Sequence, residues 1–487
     1  MNNRIDSYLN EVIGLGDEGS SLLAKITTST LKNCKYVDIV KEGMNGVAVL
    51  KNLPKDYDVV VYSIGADPKI SDINEYTRSL VNNLVDISKY NNLIPLAFAD
   101  VVDASSGEKK YIENIGNILR ESANSYGLAI LNGELAILGN RVNTIANING
   151  TMISLANKNN LPSKKSFFLN QGPYTVRAAS FSHDGKPVWI NSDGEGTKGE
   201  FEERLQTYEN GLYNSLAMKL DDTIKLGAKA MVVSDVIQTK GNIPFNNLIN
   251  LANRLSGELG IEYILEQEFA ENRIRGFNSN VPSFNISGSA VSIIDEEKLK
   301  HPPLPKAGDI LVAISGHPNP RSNGITDKRK TMIKLFGEDY HNSEIGNTFL
   351  QYLAAPSIVF YPHFKYMLDH NLATSVYHMS GGAYNGKLAR PFAKHGLYVS
   401  INNLFSPDWR ELALSGASFT TARNAYSKWP MGNDAFVTTN NYEATISYLE
   451  GQGLKGRVVG LLEKAVNDKT GVELTAFNGE RIYYSGR

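Results

Sequence analysis

The chain has 487 residues, 42% hydrophobic and 21% charged, with a net charge of −2 and its Lys and Arg scattered rather than clustered. Such a length predicts about two to four domains with sizeable cores, and the charge balance argues against a nucleic-acid partner or an anionic membrane. The one cysteine, Cys34, allows no internal disulfide and no cysteine-based zinc site, so the expected location is a reducing cytoplasm.

In chain order, MNNRIDSYLNEVIG (1–14) lacks an apolar h-region. No run reaches the roughly 18 apolar residues of a membrane helix, so ligands are expected to arrive from solution. GVAVLKNLPKDYDVVVYSIGADPK (46–69) predicts a strand, a turn, a strand and a loop. NEYTRSLVNNLVDISKY (74–90) predicts an amphipathic helix, and NNLIPLAFADV (91–101) a strand ending at Asp100. IENIGNILRESANSYG (112–127) predicts a second helix stopped by Gly127. NKNNLPSKKS (157–166) reads as a joint.

The same order then returns. TVRAASFSHDGKPVWINSDGEGTK (175–198) aligns without a gap on 46–69. FEERLQTYENGLYNSLAMKL (201–220) predicts the first helix, and DDTIKLGAKAMVVSDV (221–236) a strand ending at Asp235. FNNLINLANRLSGELG (245–260) predicts the second helix, stopped by Gly260. ILNGELA (130–136) matches ILEQEFA (264–270), setting Glu134 opposite Glu268, and NINGTMIS (147–154) matches NISGSAVS (285–292). Four matching blocks in one order predict a tandem duplication. KLKHPPLPKAGD (298–309) is too proline-rich for a helix or a central strand and reads as a linker. Beyond it, DILVAISG opens a third α/β unit. The expected domains are 1–160, a degenerate first copy; 161–300, a second copy; and 301–487, a carboxy-terminal domain.

The loop DGEGTK (193–198) is not the phosphate loop G-x-x-x-x-G-K-[ST], but its residue types suit a nucleotide. Gly194 and Gly196 let backbone N–H groups approach phosphate oxygens, and Lys198 supplies a point charge. Asp193 is a hard ligand for Mg²⁺, and Thr197 adds a hydroxyl. Asp221, Asp222 and Asp235 follow at element ends. A solvated turn is the competing reading of the loop alone.

These blocks resemble the aminoimidazole ribonucleotide synthetase (phosphoribosylformylglycinamidine cyclo-ligase) family, in its D-G-x-G-T-K loop, its acidic pair before a G-A step and its apolar strand ending in Asp. AGDILVAISGHPNPRSNGIT resembles the family's S-G…H-S-N-G loop, VYHMSGGAYNGKLARPFA its H-x-[TS]-G-G-G segment, and NGELAILGN its G-G-E loop. The resemblance covers nearly all of 40–465. It implies an α/β (α+β) chain whose two tandem ATP-binding-type domains pair as an intrachain pseudo-dimer barrel, followed by a substrate domain. It also implies ATP and Mg²⁺ as cofactors, small-molecule nucleotide substrates, and a monomer through internal pairing or a homodimer. The activity implied is ATP-dependent closure of the imidazole ring of formylglycinamidine ribonucleotide in purine biosynthesis. Thiamine-phosphate kinase-like and selenophosphate synthetase-like enzymes, or a non-catalytic nucleotide-binding relative, are the alternatives.

Residue by residue, the resemblance implies nucleotide contacts from Asp193, Gly194, Gly196, Thr197, Lys198 and Asp222, with Gly133 and Glu134 approaching from the first copy. Asp193, Asp221, Asp222, Asp235 and Glu134 are the implied metal ligands. Ser322, Asn323, Gly324, Ser380, Gly381 and Gly382 are the implied substrate contacts, and Lys198, Asp235, His317 and Arg321 the implied catalytic groups. Arg321 stands where the family has histidine. In the first copy Asp193 is replaced by Ile64, Gly196 by Asp67 and Thr197 by Pro68, leaving Lys69; Asp86 and Asp100 are further ligands or remnants. One composite site per chain is therefore expected.

Overall fold

The computed structural model describes residues 18–40, 47–172, 174–419 and 421–486; the expectation placed on 1–14 and the start of the block at Gly46 lie outside them. The chain is mixed α/β with three sheets. It divides into two units, Met1–Glu203 with Ala228–His301, and Arg204–Gly227 with Pro302–Arg487.

Among the described residues, the first unit holds twelve strands. They are β1 (Val37–Val40), β2 (Val47–Leu50), β3 (Tyr57–Gly65), β4 (Ile94–Ala104), β5 (Ala129–Ile137) and β6 (Ala146–Asn157). After these come β7 (Ser166–Gln171), β8 (Tyr174–Phe181), β9 (Val188–Gly194), β10 (Lys229–Lys240), β11 (Glu262–Phe269) and β12 (Ser283–Ile293). One sheet runs β5-β4-β6-β3-β8-β7 and the other β1-β2-β9-β12-β10-β11. In each, a parallel pair (β4/β5, β10/β11) is followed by antiparallel partners.

The registers coincide. Across β3-β6-β4, Ile64 faces Gly150 and Gly150 faces Asp100. Across β9-β12-β10, Asp193 faces Gly288 and Gly288 faces Asp235. The outer parallel strands differ: Asp100 faces Gly133, whereas Asp235 faces Leu265, where the sequence alignment places Gln267. A bulge at Phe98/Ala99 accounts for one residue of this two-residue slip, because an inserted residue steps one strand past its partner. The hairpins are exchanged between sheets: β1–β2 extends the second sheet through β9, and β7–β8, which precedes β9, extends the first through β3.

Alternation along β3 explains the packing. Val59 and Val61 enter an apolar core that also takes Val188, Ile190, Val232 and Val291 from the other sheet. Val60, Tyr62 and Ile64 point to the opposite face, against Leu80, Leu84, Ile115 and Leu119 of the helices Ile73–Tyr90 and Lys109–Tyr126. Burying each such side chain is worth roughly 1.5–3 kcal/mol. Asp72 caps the first helix by accepting from the N–H of Asn74 and Glu75, and Gly127 ends the second in a left-handed conformation.

Two sequence expectations are corrected. β4 and β10 run past Asp100 and Asp235 rather than ending there; with both faces covered, the strand continues through a buried carboxylate. The helix expected over 201–220 is two, Gly199–Leu205 and Glu209–Thr223, broken where Gln206 takes φ +55°.

The second unit contains the helix Glu209–Thr223 and a seven-stranded sheet. Its strands are β13 (Ile310–Ser315), β14 (Ser375–His378), β15 (Leu397–Ile401), β16 (Ala435–Thr439), β17 (Lys455–Lys464), β18 (Gly471–Thr475) and β19 (Arg481–Tyr484). Their order is β14-β16-β13-β17-β15-β18-β19.

Candidate functional site

In the second unit, the acidic pair at the end of Glu209–Thr223 sits in a dense charge cluster. Asp221 is fully buried and accepts from Arg321 Nη2 at 3.0 Å and from the Tyr361 N–H at 2.8 Å. Arg321 Nη2 also donates to His378 Nδ1 at 3.1 Å. Because guanidinium cannot accept, Nδ1 bears no proton, and Nε2–H donates to Asp222 Oδ1 at 2.8 Å. Lys387 Nζ lies 3.3 and 3.4 Å from the Asp222 oxygens, and Lys225 Nζ closes on the same carboxylate.

The cluster sets its own protonation. Burial pushes Asp221 up to about 7 against the pull of Arg321. Burial also acts to raise Asp222, but Lys225, Lys387 and His378 together hold it well below the usual carboxylate range. Burial lowers Lys225 to about 8 and drives His378 well below its ordinary value, so the imidazole is neutral. With Asp222 25% exposed and Lys387 21%, the water-facing edge of the cluster carries a carboxylate and an ammonium beside the exposed Gly381 and Gly382.

Arg321 itself is buried at φ +53°. It donates to Asp221, His378, the Ile358 carbonyl and the Met379 carbonyl, which makes it a group that holds the cluster together. Ser380 Oγ lies 3.2 Å from His378 Nε2. His317 is exposed, its Nε2 3.0 Å from the Pro356 carbonyl oxygen. It lines a cavity of about 200 Å³ with Asp408, Glu411, Asp434 and Lys455.

Ser322, Asn323 and Gly324 precede the helix Ile325–Phe336, whose N-cap, Gly324, offers no side-chain cap. Ser322 Oγ and Asn323 Nδ2 are buried with no hydrogen-bond partner, as is Trp429 Nε1. Unpartnered donors at a helix N-terminus suit an oxyanion. Gly324 has φ +63°, and a Cβ there meets Trp429 at 2.2 Å. Gly324→Ala is therefore expected to cost about 2–4 kcal/mol in urea denaturation, from overpacking plus left-handed strain; a midpoint equal to wild type would contradict this geometry.

In the first unit, Asp193, Gly194 and Gly196 are half-buried at the end of β9, while Thr197 and Lys198 are buried. Gly196 has φ +70° with open space where a Cβ would stand. Asp235 is buried, and its Oδ2 accepts from Tyr263 OH at 2.9 Å. Asn132 Oδ1 accepts from the Ser192 N–H at 3.3 Å, which sets β5, with exposed Gly133 and half-buried Glu134, beside β9. In the equivalent loop of the first sheet, the space beside Gly65 is filled by Glu268 while Lys69 is exposed. A Cβ on Gly65 would lie 2.0 Å from Glu268 Oε2, which accepts from Gln238 at 2.7 Å. Arg273 stacks 3.3 Å from the Tyr76 ring and donates to the Pro68 and Ile70 carbonyls.

Among the described residues, no group of three or more His, Cys, Asp or Glu side chains is gathered as a metal cage. Asp193, Asp235 and Glu134 belong to one unit and Asp221 and Asp222 to the other. Asp86 is exposed on its helix, and Asp100 is buried. Sequence reasoning missed His378, Lys225 and Lys387 as partners of Asp222, although His378 opens the H-x-[TS]-G-G segment.

No family model matches the sequence. The chain is 26% identical over 287 residues to the phosphoribosylformylglycinamidine cyclo-ligase of Clostridium botulinum (strain Langeland / NCTC 10281 / Type F), covering 57% of this chain and 82% of that protein. Among solved structures it is similar to Thermotoga maritima PurL complexed with FGAR, at 14% identity and TM-score 0.38, covering 61% of this chain and 45% of that one. It is also similar to thiamine monophosphate kinase from Aquifex aeolicus, at 12% identity and TM-score 0.37, covering 61% and 90%. No helix of the described residues is long and apolar enough to cross a membrane.

Proposed function

We propose that this chain is an ATP-dependent enzyme of the aminoimidazole ribonucleotide synthetase-like kind, and specifically a cyclo-ligase acting on formylglycinamidine ribonucleotide. The observation that carries the reading is the asymmetry of two equivalent loops. Beside Gly65 stands the Glu268 side chain, reached from the other sheet, and Arg273 holds the Pro68 and Ile70 carbonyls, while the three nearest neighbours of a Cβ on Gly194 all come from Ser287 and Ile286 of the adjacent strand β12. The sequence similarity to curated cyclo-ligases supports the choice of reaction.

The two sheets are read as a tandem duplication paired as a pseudo-dimer barrel. Their matching strand order, the coincident registers of Asp100 and Asp235, and the exchanged hairpins support this. Domains 1–160, 161–300 and 301–487 follow from it, with the segment Arg204–Gly227 lent to the third. Light scattering of the purified protein is expected to give the mass of one chain; a concentration-independent dimer would select the homodimer, with internal pairing kept inside each chain.

ATP would supply a phosphoryl group that activates the substrate's formyl amide oxygen. Asp193 would hold the nucleotide's Mg²⁺, which needs only one or two protein carboxylates besides phosphate oxygens, so the lack of a carboxylate cage fits. Glu134 would approach from β5, and the loop at Gly196 would lie against the phosphates, the N–H groups of Gly194 and Glu195 being bonded to Asp193 Oδ1 and the Ile286 carbonyl. In the second unit, Ser322, Asn323 and the helix N-terminus would bind the substrate's ribose phosphate. Asp222, oriented by neutral His378 through Arg321, would order the amidine end beside Lys387.

Purified protein with ATP, Mg²⁺ and formylglycinamidine ribonucleotide is expected to release phosphate and form aminoimidazole product. Phosphate release without ring closure would favour another activity of the superfamily, and absence of both would leave a non-catalytic relative. Glu134→Gln is expected to lower turnover at least about tenfold, the scale of one lost charged contact; wild-type turnover would remove β5 from the site.

A further inference from the structure

The seam between the two sheets of the first unit changes character along its length. One end is apolar, as described above. The other carries Asp103 on β4, Asn147 and Asn149 on β6, Gln238 on β10 and Asn285 on β12, all nine-tenths or more buried. Asp103 and Asn147 are cross-strand neighbours, as are Gln238 and Asn285. Asn285 Nδ2 donates to Asp103 Oδ2 at 2.7 Å, tying the two pairs together across the seam. Asp103 lies three residues beyond Asp100 and Gln238 three beyond Asp235. Asn147 and Asn285 each precede by three the glycine facing those aspartates. The quartet therefore occupies equivalent positions in the two sheets.

Six atoms here have no hydrogen-bond partner: Asp103 Oδ1, Asn147 Oδ1, Asn149 Oδ1, Gln238 Oε1, Asn285 Oδ1 and Asn147 Nδ2. Five of the six are oxygens. Buried polar groups are nearly always satisfied, and a carboxylate out of water takes up either a proton or a counter-charge; burial raises Asp103 only to about 6, so above that pH a counter-charge is called for. The nearby charges are committed elsewhere. Arg141 bonds Glu203 and the Phe284 carbonyl, and Glu268 accepts from Gln238.

We propose that the quartet Asp103, Asn147, Gln238 and Asn285 holds one alkali-metal cation in the seam between the sheets. One carboxylate balances one unit of charge, and amide oxygens replace hydration oxygens as backbone carbonyls do in ion filters. The set is too poor in carboxylates for the usual Ca²⁺ site, and an all-protein cage is unusual for Mg²⁺. The ion would clamp the two sheets at their polar end and is independent of the nucleotide reading.

The test is thermal unfolding of the full chain in 100 mM potassium or sodium chloride against tetramethylammonium chloride at equal ionic strength. A saturable rise in Tm on the order of 3 °C is expected in at least one alkali salt, and it should vanish in Asp103→Asn. Equal Tm values in all three salts, or an undiminished response in Asp103→Asn, would overturn the site. Should that variant not fold, wild-type crystals soaked in thallium(I) acetate decide. An anomalous peak among the four side chains supports the proposal; water density without a peak overturns it.

Discussion

Replacing Arg321 with methionine is expected to destabilise the second unit by about 3–5 kcal/mol, the cost of leaving a buried carboxylate without its partner. Asp221 has no exposure, and its remaining hydrogen bond comes from the Tyr361 N–H. The double variant Arg321→Met with Asp221→Leu should recover most of that loss, since apolar groups of similar volume often match a buried ion pair. Urea midpoints of the full chain measure both. A single-variant loss under about 1 kcal/mol, or a double variant as unstable as the single one, would contradict the cluster's geometry. The single variant should also lower turnover beyond its stability effect, because His378 loses the donor that fixes its tautomer and so its aim at Asp222.

Asp100→Asn is expected to do the opposite and stabilise the first unit near neutral pH. Both carboxyl oxygens of Asp100 are buried without a hydrogen-bond partner, and burial raises the group to about 7, against roughly 3.9 in an unfolded chain. Between these values the folded protein retains a proton that the unfolded chain has released. Stability from this group therefore falls as pH rises from about 4 and is lowest above about 7. A three-unit shift corresponds to about 4 kcal/mol at the limit. Asparagine removes the charge penalty and leaves an unpartnered amide, so the net gain at pH 8 should be about 2 kcal/mol, vanishing at about pH 5.5 and turning into a loss below it. Denaturant midpoints across this range give the answer. A gain independent of pH, or a loss at pH 8, would contradict a charge penalty at this position.

Much of the first unit was legible in the sequence because its signals are local. The helices stopped by Gly127 and Gly260 end in left-handed glycines as their positions predict. The blocks aligned on Asp100 and Asp235 share a register because period-two alternation fixes which face each residue takes. What stayed hidden depends on partners distant in the chain. Lys387 and His378 reach Asp222 across more than 150 positions, and no pattern near Asp222 announces them. Nor does local sequence reveal that Glu209–Thr223 belongs with the carboxy-terminal sheet, or that Glu268 packs against Gly65. Arg321, standing in a family histidine's place, reads from sequence as a phosphate-binding group that cannot shuttle a proton near neutral pH; its buried, left-handed position makes it a brace for Asp221 and His378 instead.

Titration calorimetry with a non-hydrolysable ATP analogue and Mg²⁺ distinguishes one working nucleotide loop per chain from two or none. One nucleotide should bind per chain, weakened at least about tenfold by Asp193→Asn and unchanged by Lys69→Met in the first-copy loop. Two nucleotides per chain, no binding heat, or an affinity that ignores Asp193 while responding to Lys69 would contradict a single working loop.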